Sequence, residues 1–200
     1  MSAFERSFFE RDALEVAPEL LNALVVHGQR VARIVEVEAY RGSEDPGSHA
    51  FRGPTPRNLT MFGPAGHLYV YFTYGMHFCA NVVCSEEGVA SAVLLRALDP
   101  VAGLEEMRAA RPKSTDVKLC AGPARLTQAL GIGRSFDGAD LLDGGALRLE
   151  RDEVAPPADP LVGVRIGLSE RAGPSISWPW RFGVPGSPAL SRPFPHVEGV

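Results

Sequence analysis

Tyr69-Val-Tyr-Phe-Thr-Tyr74-Gly-Met-His77 places three of the chain's four tyrosines on one predicted strand and at the turn that ends it. Side chains alternate along a strand, so Tyr69 and Tyr71 share a face, whereas Tyr74 sits at the tip beside Gly75. A second apolar run at 77–84, the turn Ser85-Glu-Glu-Gly88 and a third run at 89–98 follow. Together they read as a three-strand antiparallel meander. Upstream, Val31, Val35 and Val37 alternate with Glu36, Glu38 and Tyr40, which predicts a strand over 30–40 with Glu38 near its C-terminal end. Strands grouped in this way, with helices before and after them, point to an α+β fold.

Working outward, Ala13, Leu14, Ala17, Leu20, Leu21 and Leu24 recur at three- and four-residue steps, the stripe of an amphipathic helix that Pro18 interrupts. Residues 41–66 hold five glycines and four prolines, too many for a regular element; a loop of that length belongs to a site. Helices are expected at 101–111 and at 123–130, the latter opened by Pro123. Short strands are expected near 146–150, 162–168 and 179–184, and a surface tail from Pro185 to residue 200. At 200 residues and 45% hydrophobic, the chain suits one domain over residues 1–200 with one core.

Several classes are disfavoured. No stretch approaches the roughly 20 apolar residues of a membrane span, and the start Met-Ser-Ala-Phe-Glu-Arg lacks a signal-peptide pattern, so a cytoplasmic location is expected. Three cysteines, Cys79, Cys84 and Cys120, without a C-x-x-C pair indicate neither a disulfide framework nor a zinc site. Gly131-x-Gly133 is too short for a dinucleotide fingerprint, and no Walker, G-x-S-x-G or H-E-x-x-H motif is present. The net charge of -4 weighs mildly against nucleic acid. Its distribution softens that: residues 1–48 carry five arginines against nine acids, and residues 49–125 eight basic residues against six acids. There are two lysines, Lys113 and Lys118, against eighteen arginines.

Tyrosines beside paired carboxylates suggest a slot for a flat, uncharged or cationic ring, because stacking needs aromatic faces and chemistry on the ring needs a proton acceptor. Glu36 and Glu38 lie on one strand face and only Glu38 is near the loop, which favours a single general base over an acid/base couple. The bland alternatives are a solvated strand face for the glutamates and core packing for Tyr69 and Tyr71. His49 could line a pocket or cap the loop. Arg96 interrupts the apolar run 92–98 and requires a partner or a cavity; an ion pair with Glu36 or Glu38 would satisfy it structurally. Asn81 poses the same question more weakly.

Taken together, Glu36-Val-Glu38-Ala-Tyr40, His49, Thr55-Pro-Arg-Asn58, Met61-Phe62, Leu68-Tyr-Val-Tyr71, Tyr74-Gly-Met76, Asn81, Leu94-Leu-Arg-Ala-Leu98 and Cys120-Ala-Gly-Pro123 closely resemble the alkyladenine (3-methyladenine) DNA glycosylase family. The resemblance runs from about Leu14 to Leu190 and includes Arg165-Ile-Gly-Leu168. It implies a curved antiparallel sheet with flanking helices and a protruding hairpin. It also implies an enzyme that flips an alkylated or deaminated purine out of duplex DNA and hydrolyses its N-glycosidic bond, initiating base excision repair.

By the same resemblance, Glu38 looks like the base that activates water, with Arg96 and the Ile166 carbonyl holding that water. Tyr40, His49 and Tyr71 resemble the walls of the base pocket, Leu94 belongs to that pocket, and Asn81 matches the position that clashes with the 2-amino group of guanine. Tyr74 and Met76 resemble the residues that intercalate into DNA. His77 stands where the better-known mammalian members carry tyrosine. An amine for strand nicking is required of a bifunctional glycosylase, and neither lysine adjoins these residues in sequence, so a monofunctional enzyme is expected. No metal or organic cofactor is implied, the partner is double-stranded DNA with damaged purines, and a monomer is expected. The alternatives are a non-catalytic binder of damaged DNA, which would not need Glu38, and a hydrolase of free nucleosides, which would not need Tyr74.

Overall fold

The computed structural model describes residues 2–73 and 75–194. Its elements in chain order are β1 (Ser2–Ala3), α1 (Arg6–Phe9), α2 (Ala13–Glu19), β2 (Leu24–His27), β3 (Arg30–Arg41), β4 (Leu68–Thr73), β5 (His77–Cys84), β6 (Ser91–Ala102), α3 (Leu104–Ala110), α4 (Pro123–Leu130), β7 (Leu147–Arg151), β8 (Leu161–Gly163) and β9 (Arg181–Gly183). Among the described residues nine strands form one curled antiparallel sheet, ordered β1-β7-β2-β3-β6-β5-β4, with β9 also on β3 and β8 on β9. The fold is mixed α+β, and the expected meander is present as β4, β5 and β6.

Alternation divides the sheet into two faces with different work. Val37 and Ala39, Val70, Ala80 and Val82, and Val93 and Leu95 point to the core, against Phe8, Phe9, Val16, Ala17 and Leu20 of the N-terminal segment and Leu126, Ala129 and Leu130 of α4. Burial of the Val, Leu and Phe side chains among them stabilises by about 1.5–3 kcal/mol each. The opposite face carries Glu36, Glu38, Tyr69, Asn81 and Arg96, all buried although polar or amphipathic. The loop 42–66 folds over it, placing Ala50 and Met61 against Tyr69, Val83 and Ala92.

Four expectations are corrected. The N-terminal helix ends at Glu19, one residue beyond Pro18, and Leu24 opens β2, a strand that the leucine spacing concealed. β6 runs to Ala102, so α3 starts at Leu104 rather than at 101. The strand expected over 162–168 stops at Gly163. Residues 185–194 do not form a surface tail: Ala189 is fully buried and Ser191 donates hydrogen bonds to Glu36. Among the described residues no helix is long and apolar enough to cross a membrane.

Candidate active site

Register builds the site. Glu38 of β3 lies opposite Leu94 of β6, Leu94 opposite Asn81 of β5, and Asn81 opposite Tyr69 of β4. Four strands thus line up one row on the polar face, with Tyr71, Cys79, Arg96 and Tyr40 two positions to either side. Above this row opens a cavity of about 300 Å³, lined by Tyr40, His49, Met61, Tyr69, Tyr71, Thr73, Cys79, Asn81, Leu94, Arg96, Pro123 and the segment Ile166–Leu168. That volume is at the lower end for small-molecule pockets and suits one flat ring system.

The aromatic walls are held in place. Tyr69 and Tyr71 stack with centroids 5.5 Å apart, and the His49 ring meets Tyr71 edge-on at 4.4 Å. His49 Nδ1 lies 3.2 Å from the Tyr69 hydroxyl. Burial, and then the nearby Arg57, hold the His49 imidazole below its ordinary pKa, so it is neutral at neutral pH. Burial pushes the Tyr69 phenol up to about 12 and the Tyr71 phenol higher still, with Cys79 adding to the rise at Tyr71. The walls therefore bear no charge of their own at neutral pH, and their ring faces can receive a neutral or cationic base.

Glu38 stands one layer behind the cavity wall, with no solvent exposure. Its Oε1 accepts the Ile166 N–H at 2.7 Å and its Oε2 the Tyr40 hydroxyl at 2.9 Å. Arg96 Nη1 lies 3.3 Å from the same Oε1, and Arg96 Nε lies 3.0 Å from Glu36 Oε1, close enough for attraction but not aligned as a hydrogen bond. Burial raises the Glu38 pKa, opposed by Arg96, the Ile166 N–H and the Tyr40 hydroxyl. Each carboxylate oxygen has a lone pair beyond those already used, so an acceptor remains for a water molecule. Tyr40, Arg96 and Ile166 all border the cavity and all touch Glu38; they connect it to the space where a ligand would lie.

Glu36, two residues away, has a different task. Its oxygens take the Arg181 Nη1 at 3.0 Å, the Ser191 N–H at 2.6 Å and the Ser191 hydroxyl at 2.9 Å. Held by these donors, Glu36 anchors the C-terminal segment and the Arg96 side chain.

Asn81 donates Nδ2 to the Tyr69 carbonyl at 3.1 Å and borders the cavity, as does Leu94. Met76 is 67% exposed at the β4–β5 turn, where Gly75 takes φ +67°. Tyr74 lies outside the described residues, and its expected wedge role with it. Neither lysine borders the cavity. Among the described residues no group of three or more His, Cys, Asp or Glu side chains is arranged for a metal ion.

Sequence reading missed several supports. Asp45 and Arg165, 120 residues apart, form a fully buried two-point ion pair. The Arg165 guanidinium then lies 4.5 Å from the Tyr40 ring and 5.0 Å from the Trp180 ring, behind the pocket wall. Gly47 passes so close that a Cβ there would meet Arg165 Nη2 at 2.9 Å. Asn58 donates to the His49 and Gly53 carbonyls and accepts from Thr55, closing the loop that carries His49. The cluster Thr55-Pro-Arg-Asn58 was a signal of a structured turn, although nothing in it indicates which carbonyl it would hold.

Residues 7–188 match the methylpurine-DNA glycosylase family. A protein of Burkholderia cenocepacia (strain HI2424), named "Putative 3-methyladenine DNA glycosylase", is 55% identical over 197 residues, 96% of this chain and 92% of its own length. Proteins of the same name from Rhodopseudomonas palustris and Agrobacterium fabrum are 48% and 47% identical, covering 96% and 94% of this chain and 89% and 92% of their own.

Proposed function

The chain belongs to the methylpurine-DNA glycosylase family, and we propose that it is a monofunctional enzyme that flips a damaged purine into the aromatic cavity and hydrolyses the glycosidic bond with a Glu38-activated water. The observation that carries this reading is the cross-strand row. It sets a buried carboxylate and a guanidinium against one end of a cavity whose sides are Tyr40, His49 and Tyr71.

Extrusion of a base costs a few kcal/mol, least for a damaged pair, and glycosylases are among the standard examples of that rule. Stacking of about 1–3 kcal/mol per base offsets a cost of this size. Alkylation at a ring nitrogen makes the purine cationic, which strengthens its attraction to the Tyr40 and Tyr71 faces and makes it a better leaving group. Glu38 accepts a proton as the water oxygen attacks C1′; the C1′–N bond breaks and its electron pair leaves with the purine, neutralising the ring. Arg96 and the Ile166 carbonyl position that water. Asn81 disfavours a base bearing a 2-amino group, and Tyr74 and Met76 occupy the gap left in the duplex. The positions of the lysines support a product that is an abasic site with the strand intact, since an amine would be needed to go further.

The test is single-turnover base release from duplexes with one 3-methyladenine or one hypoxanthine, with and without alkali, comparing the protein with its Glu38→Gln variant. Release is expected to need alkali for strand scission and to fall about 10²–10⁴-fold in the variant, while lesion binding persists. Turnover retained in Glu38→Gln removes Glu38 from the mechanism; binding without any release from the unaltered protein makes it a damage-binding protein.

A further inference from the structure

Arg165 opens the segment whose next three residues line the base cavity, yet it does not line the cavity itself; its guanidinium covers the Tyr40 ring, 4.5 Å from the ring centre. The side chains of Arg165 and Asp45 are both wholly buried, so solvent ions screen their charges little. The pair is lopsided. Asp45 accepts Arg165 at 2.5 and 2.8 Å, but it also accepts the Gly47 N–H at 2.9 Å and the Arg41 N–H at 3.4 Å, so backbone donors share its charge. Arg165 gives Nη1 and Nη2 to Asp45 and to the Ala39 and Ser175 carbonyls, while its buried Nε has no hydrogen-bond partner among the described residues. Two rings, Tyr40 and, at 5.0 Å, Trp180, meet that charge instead. Arg96, at the cavity itself, differs: carboxylate oxygens of both Glu36 and Glu38 lie beside it, at 3.0 and 3.3 Å.

A purine stacked on the cavity side of Tyr40 lies about 8 Å from the Arg165 charge, the 4.5 Å to the ring centre plus one van der Waals separation. Two consequences follow from that placement. In the resting complex a cationic purine meets a ring whose other face already serves a cation, and is repelled through it; a neutral purine is not. When the C1′–N bond breaks, its electron pair leaves with the purine, so the base becomes one unit more negative whether it entered as a cation or as a neutral ring. A fixed positive charge in dry surroundings favours that change in both cases.

We propose that Arg165, held by Asp45 against the back of Tyr40, promotes departure of the purine by its field, and in doing so weakens the resting complex of a cationic lesion while leaving that of a neutral one unchanged. Arg165 does not touch the ligand; it is a positioning residue that acts through Tyr40, and the inference rests on the glycosylase reading above. The trade is one of affinity for rate, with the buried guanidinium as its source. Rate is gained on every lesion, and affinity is given up only for cations, which are already good leaving groups. The gain matters most for hypoxanthine, a neutral ring that leaves poorly, so the pair extends the range of the cavity toward deaminated purines.

The test is single-turnover base release from duplexes carrying 3-methyladenine, the cation, or hypoxanthine, the neutral ring. The half-saturating enzyme concentration and the limiting rate are measured separately, at a temperature where each variant is folded. A unit charge about 8 Å away at an effective dielectric constant near 20 shifts an equilibrium roughly thirtyfold, and Asp45 offsets part of it, so about three- to tenfold is expected. In Arg165→Gln/Asp45→Asn, which removes both charges, the limiting rate should fall by that factor on both lesions. The half-saturating concentration should fall with it on 3-methyladenine alone, the pattern of relieved ground-state strain. Asp45→Asn by itself keeps one of the two acceptors for Arg165 and removes only the offsetting charge, so each reading should move the other way. A pair that merely props the Tyr40 wall would raise the half-saturating concentration on both lesions in both variants; that result, or limiting rates that do not move, overturns the inference while base release by the unaltered protein keeps the glycosylase reading. Absence of base release by the unaltered protein overturns the glycosylase reading itself, and the variants' affinities for the two duplexes then still decide whether Arg165 penalises a cation.

Discussion

Glu38 must be ionised to accept a proton, yet its surroundings disfavour ionisation. Burial moves its pKa above the ordinary 4.5, and Arg96, the Ile166 N–H and the Tyr40 hydroxyl only oppose that rise. Because the folded pKa is the higher one, the carboxyl favours the folded state fully below the unfolded value, and that contribution is lost as pH rises through the folded value. An ionised Glu38, which the proposed mechanism requires, therefore costs the fold stability. Base release should accordingly fall on the acid side above the usual carboxylate range, and the fall should vanish with Glu38→Gln. Tyr40→Phe keeps the stacking ring but removes the donor to Oε2, so the Glu38 pKa rises further and the acid limb of kcat/KM moves to higher pH. A limb that stays put, or moves down, means that the hydroxyl does not support the ionised base. Arg96 was conspicuous because it interrupts an apolar run, and Glu38, Tyr40 and Tyr71 because they form the polar side of alternating strands; that they meet around one cavity follows from the register of those strands. Arg165 was legible only as part of a motif, since its partner Asp45 is 120 residues away and nothing local links them.

The loop 42–66 shows how an irregular element is made rigid. Gly42, at φ +49°, lies where a Cβ would sit 2.2 Å from the Ala90 carbonyl, so the loop leaves β3 at a fixed point. Asp45 then ties it to Arg165, and Asn58 closes its far side under His49. Asp45→Ala leaves the Arg165 charge buried without its acid, a loss of about 3–5 kcal/mol, to be read by chemical denaturation. Base release should decline as well, because the same guanidinium supports the Tyr40 ring from behind. A variant as stable as the parent would show that the pair is dispensable. The strands β3 to β6 and the helix α4 were readable from period and turn residues, since each has a single consistent pattern. α2 and β2 were not: Leu20, Leu21 and Leu24 continue the helical spacing of Ala13 and Ala17 past the point where the backbone turns. Asn22, at φ +67°, marks that turn, and its own backbone bond to Ile34 begins the pairing with β3.

At the scale of the whole molecule, the segment from Arg181 to Ser191 meets the middle of the chain at Glu36. The C-terminal segment looked like a surface tail because six of residues 185–194 are proline, serine or glycine, a composition without period. What holds it is polar. Ser191 gives Glu36 an N–H and a hydroxyl, and Arg181 donates to the Arg192 and Pro193 carbonyls while the Phe194 ring covers its guanidinium at 3.8 Å. Glu36 in turn shares Arg96 with Glu38, which links the segment to Glu38 through Glu36 and Arg96. Ending the chain at Gly186 removes two donors from a buried carboxylate, each worth about 1.5–3 kcal/mol for a charged acceptor, and uncovers Ala189's site. We expect a loss of about 3 kcal/mol or more in chemical denaturation, against about 1.5–3 kcal/mol for Ser191→Ala, which keeps the N–H. The shortened chain should also lose base release at temperatures where it is still folded. With fewer donors of its own, Glu36 draws Arg96 away from Glu38, whose ionisation then loses its strongest support. Equal stability and equal base release in the two lengths would return the segment to the status of a tail.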